Sequence, residues 1–320
     1  MTRPERTSSR RGRYAPSPTG PLHLGNVRTA LLSWLHMRVL GGGFVLRMED
    51  IDEGRVVEGS AAQILEDLRW LGLDWDEGPD VGGPHAPYTQ TQRKPIYEEA
   101  MRRLRAAGLV YPCYCSRRDI REAAGVTSGF AVYPGTCREL TDGERAARGA
   151  SRGLEPVWRF RVGERVVRVE DGLCGAQTQE LAREVGDIKI KRRDGLFAYQ
   201  LVVVVDDALM GITDVMRGAD LLDSTPRQLA LFEALGYDAP AFWHVPLVRA
   251  PSGEKLSKRD GSRSMAALRE DGWKPSRVVG HLAASVGLVD EGAQLSAREL
   301  SEEVASRYGE AWLDKIRRTS

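Results

Sequence analysis

The stretch from Arg11 to Asp52 constrains the fold more than any other part of the chain. Arg11 to Ala15 is a short strand-like run, and Pro16 and Pro18 then exclude a central strand or a helix interior. Gly20 and Gly25 follow, and Val27, Leu31, Leu35 and Val39 recur at helical spacing, with Gly25 or Asn26 placed to cap the helix. Gly41-Gly42-Gly43 stops that helix, and Phe44 to Met48 reads as a second strand that delivers Glu49, Asp50 and Asp52 at its C-terminal end. A strand–helix–strand unit of this kind takes a right-handed crossover and makes a parallel sheet, so the expected fold class is α/β. Open parallel sheets bind ligands beyond the C-terminal ends of their strands. A helix start after a glycine-bearing loop offers unpaired N–H groups and a partial positive charge, which suit a phosphate. On the loop alone, a plain turn with a buried His23 is the competing reading.

Composition narrows the partners. The 320 residues carry 46 Lys and Arg against 45 Asp and Glu, a net charge of +1 that excludes a uniformly basic surface. Any nucleic acid must therefore be met by local patches. The start is charged, and the longest apolar run, Leu201 to Val205, is far too short to span a bilayer, so a cytoplasmic protein with no membrane partner is expected. Four cysteines are too few for a disulfide scaffold in a chain this long. Cys113 and Cys115, with Cys137 after a compact Gly-rich loop, supply three soft ligands for a tetrahedral zinc; buried thiols are the alternative. Cys174 has no sequence neighbour of this type and reads as inert.

A second motif lies far downstream. Lys255-Leu256-Ser257-Lys258-Arg259 sits in a loop flanked by Pro251, Ser252, Gly253, Gly261 and Ser262. Pro-Ser-Pro-Thr-Gly-Pro-Leu-His-Leu-Gly-Asn and Lys-Leu-Ser-Lys-Arg together resemble the two signatures of class I aminoacyl-tRNA synthetases. Leu24 and Asn26 stand where the first signature has isoleucine and histidine, and the asparagine occurs in the glutamate-type branch. The resemblance implies a Rossmann-like catalytic domain in which His23, Gly25, Asn26 and Lys258 hold ATP with its Mg2+, His23, Lys258 and Lys255 being catalytic.

Further segments sharpen the branch. Phe44 to Asp52 closely resembles the matching strand of glutamyl-tRNA synthetases, and Val215 to Asp220 matches the same family. The resemblance implies a glutamate site made by Arg13, Tyr14, Ala15, Pro16, Ser17, Glu49, Tyr199 and Arg217. Glu49 would meet the ammonium, and the planar guanidinium forks of Arg13 and Arg217 the carboxylates. Surface ion pairs are the plainer reading of these two arginines. The four valines at 202–205 read locally as a buried strand, but the resemblance implies a helix from near Tyr199 and a strand at 212–217. Thr225 reads as a helix cap, and His244 as a packing residue in a strand at 244–248. The C-x-C and Y-x-x-x-C pattern resembles the zinc site of glutamyl-Q tRNA(Asp) synthetases, which implies one structural zinc on Cys113, Cys115, Tyr133 and Cys137.

The resemblance divides the chain into a flexible tail (1–10), a first catalytic half (11–110), an inserted lobe with the zinc site (111–187), a second catalytic half with the lysine loop (188–262) and a helical C-terminal region (263–320). No anticodon-binding domain is expected after Arg259. Glutamyl-Q tRNA(Asp) synthetases activate L-glutamate with ATP without tRNA and transfer it to queuosine in the anticodon loop of tRNA(Asp); a monomer is expected. The alternatives are a minimal glutamyl-tRNA synthetase, an ATP-dependent carboxylate ligase, and a non-catalytic zinc-bearing RNA-binding module.

Overall fold

The computed structural model describes residues 10–127, 129, 131–246 and 263–319. Lys255 and Lys258 lie outside the described residues. Strand β1 (Arg11–Tyr14) leads through the proline loop into helix α1 (Leu24–Val39), and β2 (Gly43–Leu46) returns parallel to β1. Helices α2 (Ser60–Trp70) and α3 (Lys94–Ala106) follow. A three-stranded antiparallel sheet is made by β3 (Val110–Cys113), β4 (Val157–Phe160) and a later strand, with α4 (Arg117–Ala123) and α5 (Asp142–Arg152) between β3 and β4. An antiparallel hairpin, β5 (Val166–Asp171) and β6 (Gly175–Glu180), comes next. After α6 (Leu181–Glu184), β7 (Ile188–Lys191) completes the three-stranded sheet on the far side of β4. The chain then returns through α7 (Tyr199–Leu209), β8 (Asp214–Gly218), α8 (Thr225–Leu235) and β9 (Ala241–Val245). Helices α9 (Met265–Glu270), α10 (Pro275–Ala284), α11 (Ala297–Tyr308) and α12 (Trp312–Thr319) close the structure.

The main sheet has the order β2-β1-β8-β9 and all its pairings are parallel. One core lies on the α1 side, where α1 packs on β1 and is covered in turn by α10 and α11. The other lies beneath α3, α7 and α8. Because α1 is sandwiched in this way, its burial extends beyond the expected stripe: Leu32, Trp34 and Met37 are buried as well as Val27, Leu31 and Leu35. A fully buried leucine or methionine contributes roughly 1.5–3 kcal/mol, so α1 is the spine of this half.

Two local expectations are corrected. The helix cap is His23, not Gly25 or Asn26: His23 is extended at φ −104, ψ 160, its carbonyl accepts from Val27 N–H at 3.0 Å, and the Asn26 side chain bonds back to the His23 N–H at 3.5 Å. Gly25 and Asn26 therefore stand within the first turn. Thr225 does not cap α8; it is the first helical residue after Ser224, and its hydroxyl is used elsewhere. The valine run is helical, as the family resemblance implied, and Val202 to Val205 are all buried in α7. No helix among the described residues is long and apolar enough to cross a membrane.

Candidate active site

Backbone pairing continues past the strands and brings the two acidic and basic ends together. Tyr14 carbonyl accepts from Arg47 N–H at 3.0 Å and Pro16 carbonyl from Glu49 N–H at 2.9 Å, so the Arg13–Ser17 segment runs beside Glu49. The start of α7 adds Tyr199, and the end of β8 adds Arg217. Arg13, Tyr14, Ala15, Pro16, Ser17, His23, Gly25, Asn26, Glu49, Tyr199 and Arg217 all line one cleft of about 970 Å³. This is the C-terminal end of the parallel strands, where such sheets hold ligands.

The cleft floor is a buried ionic shell. Asp207 on α7 meets Arg13 Nε at 3.2 Å and Arg47 Nη1 at 2.8 Å, and Arg47 Nη2 also holds Glu49 Oε1 at 3.0 Å. Its neighbour Asp206 accepts from Arg93 Nε at 2.7 Å, from Gln90 Nε2 at 2.9 Å and from the Tyr97 hydroxyl. All of these charged groups are buried. Burial alone would raise the Asp207 carboxyl, but Arg13 and Arg47 outweigh it and hold the group below its ordinary range. Glu49 goes the other way, pushed up by burial more than Arg47 and Arg13 pull it down. Tyr199 is raised by burial and by Glu49, which keeps its hydroxyl a hydrogen-bond donor. Counting Arg217, four guanidinium groups face three carboxylates, so the shell keeps one net positive charge.

Arg217 is the most informative member. Its Nη2 donates to Thr225 Oγ1 at 2.8 Å and its Nε to His244 Nε2 at 3.0 Å, while Nη1 is buried with no hydrogen-bond partner among the described residues. A buried guanidinium N–H without an acceptor is costly, and this one borders the cleft. Across the cleft, the first-turn N–H groups of α1 have no intrahelical acceptors. A Cβ placed on Gly25 would meet nothing within 4 Å, so the space beside that turn belongs to the cleft and leaves room for a phosphate chain.

The cysteines form a separate centre. The Sγ atoms of Cys113, Cys115 and Cys137 are buried and all lie within 4.8 Å of one another. A tetrahedral zinc with three sulfurs at about 2.3 Å would set them roughly 3.8 Å apart, so the donor set fits. Tyr133 Oη lies 3.4 Å from Cys113 Sγ and accepts from Cys137 N–H at 2.8 Å. Burial and Cys113 push the Tyr133 phenol up, the Cys137 N–H opposes them, and the Arg159 guanidinium lies 3.7 Å from the ring centroid. The loop carrying Tyr133 is pressed on Gly186, at φ +69, where a Cβ would come within 2.4 Å of the Tyr133 carbonyl. Cys174 stands apart, with Sγ 3.4 Å from the His244 carbonyl.

The chain matches the profile of tRNA synthetases class I (E and Q), catalytic domain, over residues 10–306. The glutamyl-Q tRNA(Asp) synthetase of Symbiobacterium thermophilum is 53% identical over 293 residues, 90% of this chain and 90% of its own length. The chain belongs to this family of class I synthetases. It is an ATP-dependent ligase of the aminoacyl-tRNA synthetase kind. Glutamate–tRNA ligase 1 of Halorhodospira halophila is 47% identical over 87% of this chain and 60% of its own length. The crystal structure of a glutamate tRNA ligase from Elizabethkingia meningosepticum in complex with its amino acid superposes with a TM-score of 0.81 at 32% identity, covering 92% of this chain and 64% of that one.

Several residues of the family cleft escaped the sequence. Asp207 holds Arg13, Arg47 holds Glu49, and Asp206 sits 3.6 Å from Arg47; the only local signal was a pair of aspartates ending a run of valines. His244 is more than the packing residue expected: it bonds Arg217 directly. Arg28, which lines the cleft and donates to the Pro246 carbonyl, was also missed; burial lowers its guanidinium to about 10.

Proposed function

We propose that this chain activates L-glutamate with ATP and Mg2+ in the absence of RNA, then transfers the glutamyl group to queuosine at the first anticodon position of tRNA(Asp). The observation that carries the glutamate assignment is the single net positive charge of the buried shell, together with Arg217 Nη1, which has no hydrogen-bond partner among the described residues and belongs to the same cleft as Arg13. Glutamate brings two carboxylates and one ammonium. Arg13 and Arg217 take the carboxylates, Glu49 takes the ammonium, and the shell reaches neutrality on binding, which suits a site where unpaired charge is expensive.

In the first step a carboxylate oxygen of glutamate attacks the α-phosphorus of ATP, and the bond to pyrophosphate breaks. In the second, a hydroxyl of the queuosine cyclopentenediol attacks the glutamyl carbonyl and AMP leaves. No covalent intermediate on the protein is needed, so the chain contributes position and charge stabilisation. His23 and the first turn of α1 hold the triphosphate, and the motif lysines Lys258 and Lys255 add positive charge to it. Cys113, Cys115, Cys137 and Tyr133 would hold a structural zinc that ties the β3–β4 connection together. The protein would act as a cytoplasmic monomer.

The test is to supply purified protein with ATP, Mg2+, labelled glutamate and either queuosine-containing or unmodified tRNA(Asp), and to map the labelled nucleotide. Label on the anticodon nucleotide of the modified tRNA alone supports the proposal. Label on the 3′-terminal adenosine would instead establish the second reading, a glutamate–tRNA ligase, which the 47% identity to the Halorhodospira enzyme favours.

A further inference from the structure

The hairpin β5–β6 lies outside the cleft, yet its turn enters the main sheet. Gly172 N–H donates to the Phe242 carbonyl at 2.8 Å, and the Arg317 side chain bonds the Gly172 carbonyl. The turn delivers Asp171, whose carboxylate is buried and saturated with donors. Oδ1 accepts from the N–H groups of Leu173 at 3.0 Å, Cys174 at 2.8 Å and His244 at 3.2 Å, and Oδ2 meets His244 Nδ1 at 2.6 Å. On the other side of the ring, His244 Nε2 is 3.0 Å from Arg217 Nε and 3.2 Å from Thr225 Oγ1.

The proton positions follow from donor counting. Arginine Nε can only donate, so His244 Nε2 must accept and the ring proton must sit on Nδ1, where Asp171 takes it. Thr225 can then accept from Arg217 Nη2 and donate its own hydrogen to Nε2. The result is a chain from a carboxylate outside the cleft, through one neutral imidazole, to the guanidinium of Arg217, whose Nη1 has no partner among the described residues. A protonated His244 would lose the acceptor and set a second cation against Arg217.

We infer that Asp171 and His244 are positioning residues for Arg217: they fix the imidazole as the Nδ1–H tautomer, so that Nε2 holds the guanidinium with its Nη1 edge toward the amino acid. The inference rests on the reading of the cleft as a glutamate site. The charged groups around the ring are Asp171 from β5, Arg217 from β8 and Arg13 from β1. Burial, Arg217 and Arg13 lower the His244 pKa, while Asp171 opposes them, so the neutral form prevails. Aspartate in this place also explains why a hairpin far along the chain is seated so tightly on β9.

The experiment compares His244→Gln with His244→Asn in glutamate-dependent pyrophosphate exchange, with KM measured separately for glutamate and ATP. Glutamine carries an amide oxygen out to the place of Nε2 and can still accept from Arg217; asparagine ends near Nδ1 and cannot. The expected result is a KM for glutamate raised about tenfold or more in His244→Asn, with the KM for ATP within about twofold, and a KM for glutamate within about threefold of the parent in His244→Gln, the difference a charged hydrogen bond makes. Equal losses in the two variants, or equal rises in both KM values, would overturn the inference. A second readout uses ring-nitrogen NMR of the unsubstituted chain, which has five histidines: it should show one buried imidazole as the neutral Nδ1–H tautomer at neutral pH, assigned by its absence in His244→Gln. An Nε2–H pattern for that ring would refute the assignment. If the parent protein shows no glutamate-dependent exchange, the functional reading fails while the NMR result still decides the tautomer.

Discussion

Asp207→Asn isolates the electrostatic claim about the cleft floor. The change keeps side-chain volume and removes one charge from a shell of four guanidiniums and three carboxylates, so the buried excess rises from one positive charge to two. Asp207 makes contacts at 3.2 and 3.5 Å to Arg13 and at 2.8 Å to Arg47. Breaking a buried ion pair from one side costs about 3–5 kcal/mol, and asparagine retains one acceptor oxygen, which places the loss near 3 kcal/mol. At about 2 °C per kcal/mol for a large domain, the midpoint of thermal unfolding should fall by roughly 6 °C. Glu139→Gln, which removes an exposed partner of Arg161, is the control and should cost under about 1 kcal/mol. The pH dependence has a definite sign. Because the folded-state carboxyl lies below its ordinary range, its stabilisation is present in full above an unfolded value of about 3.9 and is lost as pH falls through the lower, folded value. Urea midpoints should therefore separate parent and variant fully from pH 7 down to about 5 and converge below about 4. A variant as stable as the parent at pH 7, or a gap that widens on acidification, would refute the assignment of Asp207 as the counter-charge.

Glu49→Gln removes the carboxylate proposed for the substrate ammonium and should raise the KM for glutamate by about 10- to 100-fold, with little change for ATP; an unaltered glutamate KM in the exchange assay counts against the role. Cys137→Ser should drop bound zinc from one per chain toward none by atomic emission, and an undiminished zinc content would exclude the cysteine cluster as the site. Gly172→Ala places a Cβ 2.1 Å from Trp243 Nε1, so the hairpin turn must shift, at about 1–3 kcal/mol; the KM for glutamate should rise more than that for ATP, and equal effects would argue that the turn is uncoupled from Arg217. Lys258→Ala should slow exchange by roughly two to three powers of ten if the lysine steadies the triphosphate, and a near-parental rate would remove it from the mechanism.

Much of the frame could be read locally. The β1–α1–β2 unit announces itself because prolines, glycines and apolar spacing all act within a few residues. The α7 helix could not be read that way, since Val202 to Val205 are β-branched and buried on every side; their helical state is imposed by packing between α3 and α8. The cap at His23 was missed because an asparagine ordinarily caps from the first non-helical position, whereas Asn26 here reaches back from inside the turn. The supporting shell was the least legible part. Asp171 and His244 are 73 residues apart, and Arg93 and Asp206 are 113 apart, so no local pattern marks them. The residues proposed to face substrate carry motifs, while those that contact them from behind are recorded only in three-dimensional contacts.

The order β2-β1-β8-β9 also has a bearing on synthesis. Gly12 pairs with Asp214, so the strand made first waits for one made about two-thirds of the way along the chain. Until that late strand emerges from the ribosome, β1 lacks its β8 neighbour and the proposed amino-acid pocket lacks Arg217. On the proposed reading, glutamate can bind only after β8 has joined β1 in the sheet.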